Sequence, residues 1–173
     1  MSGRRTTTVT SETHTPGLAW TAEQLAAVGP ACAALNVRKA SRMLTRLYAK
    51  AFEPVDLEPT QFTLLVSCSR QSAITMTALA ARLLMDPSGL ARNVAVLERR
   101  GLLKVFPSEE DGRVRNISIT NAGKAKLARA LPHWESVQKR LADQMGHDRF
   151  LLAVDLVKAM TRTGETLLNP RSD

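Results

Sequence analysis

Apolar positions recur at helical spacing along most of the chain and switch to alternation at one short place. Between Thr77 and Leu84, Leu79, Ala80, Leu83 and Leu84 share one side of a helix. Met85-Asp86-Pro87-Ser88 reads as a turn. A proline disfavours helix at the residue before it and suits the first turn of the helix after it. A second helix runs from about Pro87 to Arg100, with Leu90, Val94 and Leu97 facing inward. Gly101 stops it, and Arg99 and Arg100 stand in its last turn, where cations complement the helix dipole. The period then changes. Leu102–Phe106 and Arg115–Ile119 are short β-prone runs, and Ile117 and Ile119 alternate with Asn116 and Ser118. A charged loop, Pro107–Val114, lies between them. Helix, tight turn, helix and a hairpin with a charged tip predict a winged helix-turn-helix.

The flanks read as helices. Met1–Leu18 is rich in Thr and Ser and nearly free of large apolar residues, so residues 1–20 are expected to form a disordered tail. Thr21-Ala22-Glu23-Gln24 matches a capping box, and the helix after it carries Leu25 and Val28 until Gly29-Pro30 ends or bends it. Ala31–Phe52 is a long helix with an apolar stripe of Leu35, Met43, Leu44, Leu47 and Ala51. Arg38, Arg42 and Arg46 line another face beside Lys39 and Lys50; this row is a solvated face, or meets acidic residues of a partner subunit or DNA phosphates. After a loop over Glu53–Pro59, Thr60 is expected to cap a helix over Gln61–Arg70 that buries Phe62, Leu65 and Val66. Thr120 or Asn121 caps a helix from Ala122 carrying Leu127, Leu131, Trp134, Val137 and Leu141, which Pro132 should kink or split and Gly146 should end. Asp148–Leu168 is the last helix, with Phe150, Leu151, Val154, Leu156, Val157 and Met160, and Asn169-Pro170 stops it.

The predicted class is therefore mainly α with a small β-hairpin (α+β). Residues 57–120 form the winged unit, and helices at 21–56 and 121–168 flank it, with a tail at 169–173. The end helices carry more apolar surface than one small winged domain covers. Two copies packing them together would cover it, as would a monomer with a folded-back helical cap.

Composition sharpens the picture in three respects. Hydrophobic residues make up 44% of the 173 and aromatic residues only 4%, so the core is aliphatic. The net charge of +8 favours an anionic partner, although charge alone does not separate DNA from RNA or an acidic membrane. No apolar run approaches the roughly 20 residues that a membrane helix needs, and Arg4 and Arg5 precede no apolar segment of the secretory kind. Cys32 and Cys68 form neither a disulfide framework nor a C-x-x-C motif, so a reducing, cytoplasmic setting is expected.

Catalytic chemistry finds little support. His14, His133 and His147 show no metal-ligand spacing, and there is no nucleophile elbow, phosphate-binding glycine loop or dinucleotide fingerprint. No catalytic residue, metal or cofactor is expected. Glu109-Glu110-Asp111 reads as a solvated turn at the hairpin tip. The outward face of the second helix instead offers Ser88, Gly89, Arg92, Asn93 and Val96, with Gly89 letting a backbone approach and Arg92 and Asn93 able to bond base edges in a major groove. The tip can reach a phosphate backbone or a minor groove through Arg113 and Arg115, and Arg4 and Arg5 are weaker contact candidates. In a dimer, two such helices about one helical turn apart would match a pseudo-palindromic operator in double-stranded DNA.

Residues Asp86 to Gly123 resemble the MarR family of bacterial transcriptional regulators. The matching motifs are LxRNVxxLERRGLL over Leu90–Leu103, the wing motif Asp111-Gly112-Arg113 and the closing ITNAG of Ile119–Gly123. Leu57-Glu58-Pro59-Thr60-Gln61-Phe62-Thr63-Leu64-Leu65 resembles the start of the family's second helix. The resemblance covers most of Ala31–Leu131, in the family's order. It implies a homodimer built on the N- and C-terminal helices, an aspartate at position 111 that helps hold the wing, and a cytoplasmic, nucleoid-associated repressor. It also implies release by a small aromatic or phenolic effector, with Asn36, Met43, Leu47, Tyr48, Phe62 and Leu65 as candidate lining, or by an oxidant sensed at Cys32. Two departures bear on affinity: Gly112 stands where a second arginine is common, and Ala95 where many relatives carry a basic residue. A non-specific architectural DNA binder, and a winged domain that binds protein or RNA, are the alternatives.

Overall fold

The computed structural model is described over residues 20–169; the expected tail at its start, with Arg4, Arg5 and His14, and the residues from Pro170 on lie outside the described residues. The chain divides between Met43 and Leu44 into two units. The first holds α1, Ala22–Ala31, whose capping box forms as predicted: Thr21 Oγ1 accepts from Gln24 N–H at 3.1 Å and Gln24 Oε1 accepts from Thr21 N–H at 2.8 Å. Gly29-Pro30 does not end this helix. Pro30 lies inside it, and the break falls at Cys32, whose N–H still donates to Val28 O. The next helix, α2, spans Ala33–Phe52 and so begins two residues later than expected.

The second unit, residues 44–169 of the described chain, opens on the last turns of α2 and a short 3-10 helix, Glu53–Val55. Asp56 then takes a left-handed conformation (φ 46°) and α3 follows at Pro59–Ser69. Thr60 is not its cap. Pro59 occupies the first helical position, where its missing N–H costs nothing, and Glu58 is the N-cap, its N–H donating to Gln61 Oε1 at 3.3 Å. A strand absent from the sequence reading, β1 at Ile74–Thr75, precedes α4, Met76–Leu83. Thr75 caps α4, its Oγ1 accepting from Ala78 N–H. Leu84 turns left-handed (φ 50°) and stays exposed, so it does not share the inward side expected of it.

Helix α5, Pro87–Arg99, and strands β2, Leu103–Pro107, and β3, Arg115–Ile119, complete the winged unit. The sheet is antiparallel in the order β1-β3-β2, with Val105 and Ile74 both opposite Ile117. Helix α6, Asn121–Met145, starts at a Thr120 cap and runs through Pro132 unsplit, and α7, His147–Leu168, follows Gly146. The core holds Phe52, Leu57, Phe62, Leu64, Leu65, Leu79, Leu90, Val94, Leu97, Leu103, Ile117 and Leu127, aliphatic but for two phenylalanines, as composition requires. No described residue of α7 is buried.

Candidate nucleic-acid interface

Helix α5 is set by its ends. Asp86 is the N-cap, its Oδ1 accepting from Gly89 N–H at 2.7 Å, so one orphan donor of the first turn is satisfied. Gly89 gives that cap room: a Cβ there would stand 2.6 Å from Asp86 Oδ2, so the capping carboxylate would have to shift. The glycine is buried, so its expected place on the outward face is corrected, and its small size serves the turn between α4 and α5. Leu90, Val94 and Leu97 are buried as the spacing predicts, at 1%, 3% and 0% exposure. Ser88 and Arg92 are exposed on the opposite side. Asn93 is half-buried, and its amide nitrogen donates to Gly89 O at 2.8 Å.

The wing is fixed to α5 by residues of which Gly101 and Thr120 were expected as helix stop and helix cap, whereas the roles of Glu98 and Gly123 were not legible in the sequence. Gly101 is left-handed (φ 68°), which lets the chain reverse directly after the helix. Leu102 N–H donates to Leu97 O at 2.9 Å, and Glu98 Oε1 accepts from Val105 N–H at 3.1 Å, so a side chain of α5 holds strand β2 in place. Thr120 Oγ1 donates to Gly101 O at 2.6 Å and accepts from Gly123 N–H at 3.0 Å. At Gly123 a Cβ would run into Leu102 O, so only glycine lets the start of α6 lie against this corner. Glu98, Gly101, Thr120 and Gly123 are thus one joint, and their spacing along the chain is what LERRG and ITNAG record.

The wing loop is closed by Ser108 N–H donating to Val114 O at 2.8 Å and Val114 N–H donating to Asp111 O at 2.9 Å. Asp111 Oδ1 accepts from Arg113 N–H at 2.9 Å and from Arg113 Nε at 3.4 Å. The carboxylate therefore braces the turn and the base of the arginine, whose side chain is 94% exposed. Arg115 is exposed at the start of β3. Glu109 and Glu110 are exposed too, as a solvated turn should be. Basic and hydrogen-bonding side chains on α5 and on the wing can meet phosphates and base edges.

A family model described as the MarR family matches residues 55–114. The Mycobacterium tuberculosis transcriptional regulator MosR, solved in complex with DNA, is 34% identical, and the match covers 76% of this chain and 98% of MosR at a TM-score of 0.65. The chain belongs to the MarR family. The HTH-type transcriptional repressor MdtR of Bacillus subtilis is 21% identical over 68% of this chain and 76% of its own length. The fold is also that of mutant MarR from Escherichia coli complexed with operator DNA, with a TM-score of 0.69 at 20% identity over 80% of this chain and 96% of that one. This MarR-family chain is thus a winged helix-turn-helix protein of a family of transcriptional regulators.

The expected effector residues divide between the two units. Cys32, Asn36 and Met43 belong to the first unit, where the Asn36 side chain donates to Pro30 O at 3.0 Å and to Cys32 O at 2.9 Å and so serves the helix break. Leu65 is fully buried and Phe62 stacks on Phe52 at 4.7 Å between centroids, so both pack in the core. Tyr48 is half-buried, its hydroxyl accepting from Gln138 Nε2 at 2.6 Å; burial raises its pKa and that hydrogen bond offsets part of the rise. Leu47 lines a groove in the second unit, a space of about 380 Å³ whose wall also includes Lys50, Pro54, His133, Val137 and Arg140. Cys68 is buried in the core, and burial pushes its thiol up to about 11 despite the nearby Arg82.

Proposed function

We propose that this chain is a sequence-specific DNA-binding transcriptional regulator, a repressor released by a small ligand, that works as a homodimer in the bacterial cytoplasm and has no enzymatic activity. The observation that carries the reading is the face of α5, with Ser88 and Arg92 exposed and Asn93 half-buried, beside a wing whose Arg113 side chain stands in solvent on a carboxylate brace. Arg92 and Asn93 read base edges, Ser88 contacts the backbone, and Arg113 and Arg115 hold phosphates or a narrow minor groove. Residues 21–56 and 121–168 carry the dimer contacts, and the apolar residues left exposed on α6 and α7 support this. Family membership and the DNA held by MosR favour DNA over RNA or protein as the partner.

For release, the groove beside Leu47 suits an organic anion: Leu47, Pro54 and Val137 offer apolar contact, Lys50 and Arg140 offer positive charge, and His133 offers a ring nitrogen for hydrogen bonding. An oxidant is the second reading, since Cys32 is partly accessible at a helix break whereas Cys68 is buried. The test is selection of duplexes from a random-sequence pool, followed by a gel shift on the chain's own promoter with and without competitor. Arg92→Ala should cost about 1–3 kcal/mol on the selected duplex and much less on random DNA if the arginine makes a bidentate base contact. Equal losses on both would make Arg92 a phosphate anchor, and selection of no sequence at all would favour an architectural binder.

A further inference from the structure

Two adjacent arginines close α5, and they behave differently. Arg99 stays in solvent, where it complements the helix dipole as any cation would. Arg100 turns inward, its side chain only 27% exposed. Its Nη1 donates to Gln61 Oε1 at 3.0 Å, and its Nη2 donates both to Asp56 Oδ2 and to Asp56 O, each at 2.6 Å. The acceptors come from a corner some forty residues earlier in the chain, between the 3-10 helix and α3.

We infer that Arg100 is a positioning residue for DNA reading: its guanidinium fixes the C-terminal end of α5 to the corner at residues 56–61, so the pose of the reading face follows that corner. The inference rests on the DNA-binding reading above. The ion pair alone is a minor contribution, since the Asp56 side chain is 86% exposed and water screens it. Geometry is what the arginine supplies, because its planar fork engages three acceptors at once. The corner is built to receive it. Asp56 holds a left-handed backbone that costs a non-glycine residue energy, and its carbonyl is one of the acceptors. Gln61 is 8% exposed, and its Oε1 also accepts from Glu58 N–H, so a buried oxygen ties the cap of α3 and the end of α5 together.

The corner is in turn anchored to the long helices of the second unit. Phe62, next to Gln61, stacks on Phe52; Phe52 lies 6.0 Å from the Tyr48 ring; and Tyr48 bonds Gln138 of α6. With Asp86 holding the other end of α5 and Glu98 holding the wing, Arg100 is a link from α5 to this aromatic ladder that a point substitution can cut without opening the core.

The experiment uses the full chain and two probes: a duplex that the wild type selects from a random pool, and a scrambled duplex of the same composition. Arg100→Lys keeps the charge and loses the fork, so the ratio of selected to scrambled affinity should fall about tenfold, the worth of one charge-assisted hydrogen bond. Affinity for the scrambled duplex should change by no more than about twofold, because Arg100 is engaged by Gln61 and Asp56 and no phosphate-contacting side chain is altered. Arg100→Ala should lower the ratio at least as much, with the circular dichroism of the helices unchanged. Asp56→Asn should lower it less, because the Asp56 carbonyl remains, and it decides together with the lysine variant if the alanine variant does not fold. A lysine variant with the wild-type ratio overturns the inference, since charge alone would then suffice. Equal losses of Arg100→Ala on both duplexes also overturn it, making Arg100 a phosphate contact. A wild type that selects no duplex fails the DNA-reading proposal itself, a result distinct from either.

Discussion

Helices α5 and α7 have the same kind of apolar periodicity and opposite fates. In α5 the inward residues Leu90, Val94 and Leu97 are buried to 3% exposure or less. In α7, twice as many large residues line the helix, and Leu151, Leu152, Val154, Leu156, Val157 and Met160 all remain exposed. The difference is what lies opposite. Helix α5 packs against α3, α4 and β2, whereas α7 packs against α6. Periodicity tells which side of a helix seeks cover, and the supply of neighbours decides whether this chain provides it.

Core truncation should show the contrast at its largest. Leu97→Ala should cost about 2–5 kcal/mol, read from urea denaturation, because a tightly packed site cannot collapse onto the missing atoms. Leu156→Ala should cost less than half of that at low protein concentration. A Leu156→Ala loss that matches Leu97→Ala and grows with protein concentration would mean that the α7 face is covered by another copy as fully as α5 is covered within the chain.

What the sequence made legible follows the same division. Strong local rules worked: the Asp86-Pro87 start of α5, the Thr21 capping box, the hairpin and the Thr120 cap are all where short-range chemistry puts them. Thr60 misled because three residues in a row, Glu58, Pro59 and Thr60, each suit a helix start, and the proline's fixed φ decided for an earlier one. Strand β1 is only two residues long and gains its identity from β3, which periodicity cannot report. Gly89 read as an open approach for DNA because a glycine's reason is invisible until the atom it spares, here Asp86 Oδ2, is in place. The contacts of Glu98, Arg100 and Gln61 were not legible, since their partners lie on other elements.

Charge placed on the exposed face of α7 should matter next. Leu152 and Leu156 are one turn apart, 58% and 50% exposed. The double variant Leu152→Asp, Leu156→Asp should sediment as a monomer at micromolar concentration, where the wild type should sediment as a dimer, with the helical signal retained in both. Unchanged dimer mass would place the subunit contact elsewhere, and a wild-type monomer that still binds DNA tightly would remove the two-half-site model.

A smaller effect compares buried and accessible thiols. The raised pKa of Cys68 means that the folded state favours the neutral thiol over the thiolate. That contribution is whole below the unfolded thiol's pKa, near 8.5, and is lost as pH climbs toward about 11. The stability of Cys68→Ala should therefore fall less steeply than wild type over that window. At neutral pH a thiol reagent should modify Cys32 first, and Cys68 only as the protein unfolds; equal rates would show that the core around Cys68 opens readily.

The wing gives the finest version of the contrast, because its arginine is held at the base and free at the head. Arg113 Nε and N–H both bond Asp111 Oδ1, while the rest of the side chain stands in solvent. Counting charges alone, Asp111→Ala should improve binding to a polyanion. Bracing predicts the reverse: without the carboxylate the turn loses an acceptor, the arginine explores more rotamers, and ordering it on DNA costs more entropy. Arg113→Ala should weaken binding to all sequences, with some preference lost at A·T-rich flanks, and should reduce the slope of log affinity against log salt by about one per subunit. Asp111→Ala should weaken binding with a slope close to wild type, since no phosphate contact is removed, only its preparation. A salt titration of the two variants beside wild type separates these cases. Tighter binding by Asp111→Ala together with normal binding by Arg113→Ala would show that the hairpin does not touch DNA, and α5 would then have to carry recognition without a wing.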